Sequence, residues 1–232
     1  MSNKKFMLKC IMALMFCIIG LTSCRDKIPT NEIHYTTADN SILPIKKIFY
    51  SGEGRIVSNS YDPDKNVCIL KLDKDVTEIE KRAFSRCSSL TSISIPESVT
   101  EIGVDAFCAC TSLTSITIPQ SVTKIGKYVF DGCSSLTSIS IPESVTMIGS
   151  NAFRGCSSLT SITIPPSVTE IGEETFYDCS SLTSITIPPS VTKIGWYAFY
   201  GCSSLTEVRI PNGCNVDKSA FWNCPNVQII RY

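Results

Sequence analysis

From Leu90 onward, apolar residues return at fixed places in a 23-residue phase. Within Leu90 to Thr111 they are Leu90, Ile93, Ile95, Val99, Ile102, Ala106, Phe107 and Cys110, with polar residues between them. The L-x-x-I-x-I opening has the spacing of a strand whose alternate side chains point inward. Pro96 cannot donate to a ladder, so the strand stops there. Ser98 to Ile102 reads as extended with Val99 and Ile102 turned in, and Gly103 is expected to supply a backbone angle denied to other residues. Ala106, Phe107 and Cys110, at i, i+1 and i+4, suit one or two turns of helix.

The phase holds across most of the chain. Pro96, Pro119, Pro142, Pro165, Pro188 and Pro211 are 23 residues apart, as are Cys87, Cys110, Cys133, Cys156, Cys179 and Cys202. Six units of 23 residues start at Val67, Leu90, Leu113, Leu136, Leu159 and Leu182, and a seventh of 22 runs from Leu205 to Asn226. A fixed period of this size means a solenoid, in which each coil buries its apolar face only by stacking on its neighbours. The expected fold is therefore an α/β repeat solenoid with a parallel strand file, short helices and a small β-rich N-terminal cap. Like residues then stack on like, about 4.8 Å apart in the strand direction. The terminal units depart from the pattern, with Glu80 and Asp217 in the glycine column.

The first 66 residues lie outside the phase. Lys4, Lys5 and Lys9 precede an apolar run from Ile11 to Leu21, which is short for a bilayer span and reads as the core of an export signal. Leu21-Thr22-Ser23-Cys24 resembles a bacterial lipobox, which implies cleavage after residue 23, acylation of Cys24 and membrane attachment through that lipid anchor. Arg25 rather than Asp after the cysteine implies, by the same resemblance, the outer membrane. Residues 24–31, with Pro29, read as a tether and 32–66 as the cap, with strands at Glu32–Thr37 and Ile45–Tyr50 and turns at Ala38–Ser41 and Ser51–Gly54. The solenoid occupies 67–232.

Charge narrows the partners. The chain has 21 basic and 21 acidic side chains, and without residues 1–23 the balance is 18 against 21, or −3. That leaves no basic surface for nucleic acid. Most of the thirteen cysteines stand in one column, which gives a file of sulfurs rather than the tetrahedral cluster zinc needs. Parallel Cβ vectors also hold neighbours farther apart than a disulfide prefers. The column reads as buried free thiols acting as small apolar side chains. Cys108, Cys214 and Cys224 break it or lie near its end, and a bridge between two of them stays open.

Candidate chemistry is sparse. His34 is the sole histidine, no glycine-rich phosphate loop occurs, and no carboxylate pair is fixed by the repeat, so no enzyme, cofactor or metal is expected. Glu170, Glu173 and Glu174 read as a solvated acidic face. Outward positions of the strand file, such as Ser115 and Thr117 or Ser138 and Ser140, form a uniform hydroxyl surface that offers little specificity. Positions that vary between units are more informative. Arg154, Tyr177, Tyr200 and Trp222 share one column, which should set three rings side by side, and Trp196 and Tyr197 lie in the same loops. Exposed aromatics with an arginine are typical of contact surfaces, and these six are the candidate binding residues. The competing reading is that the rings pack over the end of the solenoid.

The words L-T-S-I-T-I-P-x-S-V-T-x-I-G-x-x-A-F-x-x-C-S-S are very similar to the 23-residue leucine-rich repeats of BspA-type bacterial surface proteins. The resemblance covers residues 67 to 226 and implies a right-handed leucine-rich-repeat superhelix. It further implies a protein at the cell surface or the periplasmic face, and some members of that group are adhesins for host matrix proteins or other bacteria. The partner so implied is a host or bacterial surface protein or a glycan. The alternative is a structural envelope protein with no extracellular ligand. The resemblance carries over no binding residue, because the repeat words are core positions.

Overall fold

The computed structural model describes residues 28–44 and 55–232. The export signal, Cys24 and the strand expected at Ile45–Tyr50 lie outside the described residues. The described chain is a parallel β-solenoid made of two strand files and a side of tight turns. One file holds strands of two to five residues, Leu90–Ser94, Ser115–Thr117, Ser138–Ile139, Ser161–Ile162, Ser184–Thr186, Glu207–Ile210 and Gln228–Arg231. The other holds two-residue strands, from Glu78–Ile79 through Glu101–Ile102 and Lys124–Ile125 to Asn215–Val216. Pairing is parallel and in phase with the repeat, as in Ser92 opposite Ser115 and Ile102 opposite Ile125. The expected inward residues form one continuous core, with Leu113, Val122, Ile125, Phe130 and Cys133 all fully buried.

No helix occurs among the described residues, which corrects the short helices expected on the third side. The i, i+1, i+4 spacing of Ala106, Phe107 and Cys110 fits a run of turns equally well. Asp105 and Ala109 have φ of 58°, and a left-handed residue every fourth position forbids a helix. Alternate amides leave the coil altogether: Asp105, Phe107 and Ala109 donate to the carbonyls of Lys127, Val129 and Asp131 on the next coil, at 3.0, 2.9 and 2.7 Å. The intervening amides of Ala106, Cys108 and Cys110 close turns onto Gly103, Asp105 and Phe107. Stacking explains the choice. The phenylalanine rings of successive coils lie 5.2 to 5.6 Å apart from Phe84 to Phe199, so this side advances at nearly the strand spacing. A helix about 10 Å across would not fit that advance.

The glycine column also plays a different part from the expected one. Gly103 does not adopt a positive φ. A Cβ on it would stand 2.8 Å from the Lys81 amide nitrogen, and one on Gly126 would stand 2.9 Å from the Gly103 carbonyl carbon. These glycines let two main chains touch. The left-handed conformation falls two and six residues later, and the second of these columns carries Ala109, Gly132, Gly155, Asp178 and Gly201.

Polar consensus residues also serve the stack. Ser144 donates to the Val122 carbonyl at 2.7 Å, and Thr114 to that of Thr91 at 3.1 Å. The ten described cysteines are free. From Cys110 to Cys202 the thiols of the column donate to a phenylalanine carbonyl of the preceding coil, Cys133 to Phe107 at 3.2 Å for example, and that carbonyl also accepts the amide of Cys110. Burial pushes the Cys133 thiol up to about 12. Such thiols stay protonated and inert.

The N-terminal end is closed by three antiparallel strands, β1 (Glu32–Thr37), β2 (Ile56–Asp62) and β3 (Val67–Leu72). β1 lies between β3 and the Leu90–Ser94 strand and runs antiparallel to both. The unit opening at Val67 is therefore divided: its strand belongs to the cap sheet, and from Glu78 it stacks like the others. Buried Tyr35 locks the cap, since its hydroxyl donates to Asn59 Oδ1 at 2.7 Å and accepts the Leu43 amide at 3.1 Å. His34 in β1 sits 3.1 Å from Glu32 and has a structural place in the cap.

Two substitutions in neighbouring columns should act in opposite directions. Gly126→Ala should destabilise by about 1–3 kcal/mol, because its methyl group meets main chain. Ala109→Gly should stabilise by about 0.5–1 kcal/mol, because it relieves a left-handed L-residue at the cost of some unfolded-state entropy. Denaturant midpoints of the two variants check this, and shifts of the same sign would refute the assignment of the two columns.

Candidate functional site

The variable positions of the turn side are positioned by the ladder just described. The Asp178 amide donates to the Tyr200 carbonyl at 2.7 Å, and the Gly201 amide to that of Trp222 at 3.1 Å. The Glu174 amide likewise donates to the Trp196 carbonyl at 3.1 Å. Side chains one repeat apart are thereby held as neighbours. The column runs Ser85, Cys108, Asp131, Arg154, Tyr177, Tyr200, Trp222 from one end of the array to the other.

All six candidate residues come together in one chain of contacts. The Arg154 guanidinium lies 5.3 Å from the centre of the Tyr177 ring. Tyr177 stacks on Tyr200 with centroids 4.7 Å apart and planes 12° from parallel. Tyr200 meets the edge of Tyr197 at 5.5 Å and 89°. Tyr197 in turn meets Trp196 at 4.8 Å and Trp222 at 5.7 Å, both at 64°. The expected row of three rings is thus a stacked tyrosine pair joined to Trp222 through Tyr197. The cluster lies on the turn side, over the last coils. Trp196 and Trp222 are its exposed members, at 41% and 52%, while the three tyrosines are half-buried.

Arg154 is tied down from both sides. It bonds Asp131 at 3.4 Å and Glu174 at 3.4 Å, and Glu174 also accepts from Asn151 Nδ2 at 2.8 Å. Asn151 and Glu174, which support the cluster, were not foreseen in the sequence. Both stand at left-handed positions, with φ of 61° and 51°, a setting that only the coordinates reveal. Burial raises the Asp131 carboxyl above the usual range, and Arg154 pulls it part of the way back. The Tyr177 hydroxyl is likewise held up, first by lost solvation and then by the Asp178 carboxylate. At the other end of the array, Arg82, Ser85, Arg86, Asp105 and Cys108 line a cleft of about 460 Å³, with Arg82 bonded to Asp105 at 3.1 Å. The hydroxyl surface of the strand file is exposed as expected, while neighbouring threonines such as Thr114, Thr160 and Thr183 spend their hydroxyls on the preceding coil.

The sequence matches the BspA type leucine rich repeat region, in six copies, over residues 54–156 and 123–232. A leucine rich cell surface protein from Faecalibacterium prausnitzii is similar in structure, with 35% identity, a TM-score of 0.53, and coverage of 68% of this chain and 51% of that one. This chain therefore spans about half the length of that relative. A leucine rich repeat protein from T. pallidum is 29% identical, with a TM-score of 0.48 over 64% of this chain and 87% of that one. One from Bacteroides ovatus is 25% identical, with a TM-score of 0.43 over 76% and 70%. No curated protein matches the sequence.

Arg154→Met should lower stability by about 1 kcal/mol near pH 7, since it removes two half-exposed ion pairs and a cation–π contact. The gap between variant and parent should narrow toward pH 4. Asp131, whose carboxyl burial raises above its usual range, attracts the guanidinium only when ionised, so that part of the contribution is present above its titration and lost as pH falls through it. Thermal unfolding at the two pH values measures this, and a gap unchanged by pH would remove the ionic part of the account.

Proposed function

The chain belongs to the BspA-type leucine-rich-repeat family, and from that premise we propose that it is a lipid-anchored envelope protein that binds a protein or glycan partner, in the manner of an adhesin. Cys24 carries the anchor in this reading and the outer membrane holds it. Several acyl chains on one residue give lasting attachment, at roughly 0.8 kcal/mol per buried CH₂. A cell-surface location is supported by the Faecalibacterium relative, itself a leucine rich cell surface protein. In this reading the protein works by non-covalent binding rather than by catalysis.

One observation carries the binding reading. The two tryptophans of the chain are both exposed, and both belong to a single five-ring cluster framed by Arg154. Large exposed aromatics concentrated in one place are what contact surfaces use, whereas scattered ones carry no such meaning. The rival reading is a structural envelope protein, and the stacking of Tyr177 on Tyr200 favours it, since those rings also extend the internal files of the array.

Trp196→Ser with Trp222→Ser separates the two. For a binding protein, a ligand found on an array of matrix proteins and glycans should bind at least about tenfold more weakly to the variant while the unfolding midpoint stays put. For a structural protein the midpoint falls and every measured binding is unchanged. Protease added to intact cells tests location: digestion supports surface display, and protection until the outer membrane is opened would put the protein on the periplasmic face.

A further inference from the structure

The ring geometry and the charges around it narrow the partner, on the premise that the aromatic cluster is the binding face. Sugars are gripped by open faces of aromatic rings, against which their C–H groups lie. The tyrosines of this cluster have few such faces to offer. Tyr177 is covered on one side by Arg154 and stacks on Tyr200. Tyr200 also meets Tyr197, and Tyr197 is held by both tryptophans. What remains for a partner is the exposed area of Trp196 and Trp222 and the hydroxyl tips of the tyrosines, the kind of surface that protein side chains pack against.

The charge next to these rings is mostly negative. Glu173 and Asp178 lie in the coil before Trp196 and Tyr200, and neither enters an ion pair among the described residues. Glu173 stands one repeat before Trp196 with its main chain against Gly195, and the Asp178 amide bonds the Tyr200 carbonyl while its carboxylate acts on the Tyr177 hydroxyl, so both residues flank the cluster. Arg154 does not offset them, being shared between Asp131 and Glu174. Lys218 follows Trp196 one coil on and enters no ion pair among the described residues, while the neighbouring Asp217, whose carboxyl is held low first by the Ser219 hydroxyl and further by Lys218 and Lys193, offsets it in part. The ring cluster thus presents the exposed area of two tryptophans with carboxylates outnumbering cations alongside, and it attracts a cationic partner chiefly through those charges.

We propose that this face takes a protein segment bearing exposed lysine or arginine side chains, with Trp196 and Trp222 as the contact rings and Glu173 and Asp178 as counter-charges. Charge complementarity selects this occupant over a neutral glycan.

The chain reports on the site directly, because its two tryptophans are both in it. Tryptophan fluorescence of the full chain in detergent would be titrated with synthetic decapeptides of alternating Gly-Arg, Gly-Lys and Gly-Gln, and with hexasaccharides of β-1,4-linked glucose and N-acetylglucosamine. The expected result is a saturable change with the Arg and Lys peptides, at least about tenfold weaker with the Gln peptide, and weakening as salt screens the attraction. Glu173→Gln with Asp178→Asn should weaken the cationic peptides by about fivefold or more, with the unfolding midpoint unchanged. Asn accepts the left-handed backbone at 178, where φ is 55°. If that double variant loses stability, Glu173→Gln alone carries the comparison, since its side chain is exposed and outside the ion pairs. Equal affinity for Arg and Gln peptides, or no effect of the carboxylate variants, overturns the proposal. Saturation by a hexasaccharide with no response to any peptide overturns it while leaving the aromatic face as a binding site. No response to any probe counts against both readings.

Discussion

Successive coils of this protein touch through their main chains. At Gly103, Gly126, Gly149 and Gly195 a Cβ would stand between 2.5 and 2.9 Å from backbone atoms of the coil below, closer than a methyl group allows. Beside that contact, alternate amides of the turn side cross to the next coil, as Phe107 does to Val129. The two together hold the turn side at nearly the advance of the strand files. Every other feature depends on this equality. It excludes helices, it lines the phenylalanine rings up in a stacked file, and it brings the thiols from Cys110 to Cys202 to a carbonyl 26 residues earlier.

A stack of this kind assigns its polar consensus residues inward. Ser121 and Ser144 serve carbonyls of the coil below, as do Thr123 and Thr146, and the buried thiols do the same for phenylalanine carbonyls. No buried side-chain polar atom among the described residues lacks a partner. This is the physical reason the repeat words say so much about the fold and so little about function. A residue that satisfies a backbone group one coil away is not free to recognise a ligand, and function must be sought where the units differ from one another.

The period, the inward set and the place of the variable columns were legible in the sequence because they follow from stacking alone. Once residues 23 apart are neighbours, Tyr177 and Tyr200 have to meet. Four things were not legible, each for its own reason. The i, i+1, i+4 spacing of Ala106, Phe107 and Cys110 is shared by a helix and by a run of turns, and the choice is made by coil advance. Glycine serves both positive φ and close approach, and only the position of the neighbouring coil tells which. The insertion of β1 between β3 and Leu90–Ser94 is a non-local pairing of a strand whose sequence lies outside the repeat. The links that Tyr197 makes to Trp196 and Trp222 belong with these, because they join different columns.

A column in such an array constrains its own chemistry. Each side chain on the turn side has two neighbours about 5 Å away, so a residue survives there only if it suits both. The run from Asp131 through Arg154, Tyr177 and Tyr200 obeys this at every step: a carboxylate against a guanidinium, the guanidinium over a ring, the ring on a ring. Two carboxylates or two guanidiniums side by side would repel instead. An exposed surface can therefore change its character along the axis only through residues that bridge one kind of chemistry to the next. Arg154 is that bridge here. It neutralises the acidic end of the column and covers the first ring, so the charge left beside the tryptophans comes from Glu173, Asp178 and Lys218, which stand outside its ion pairs.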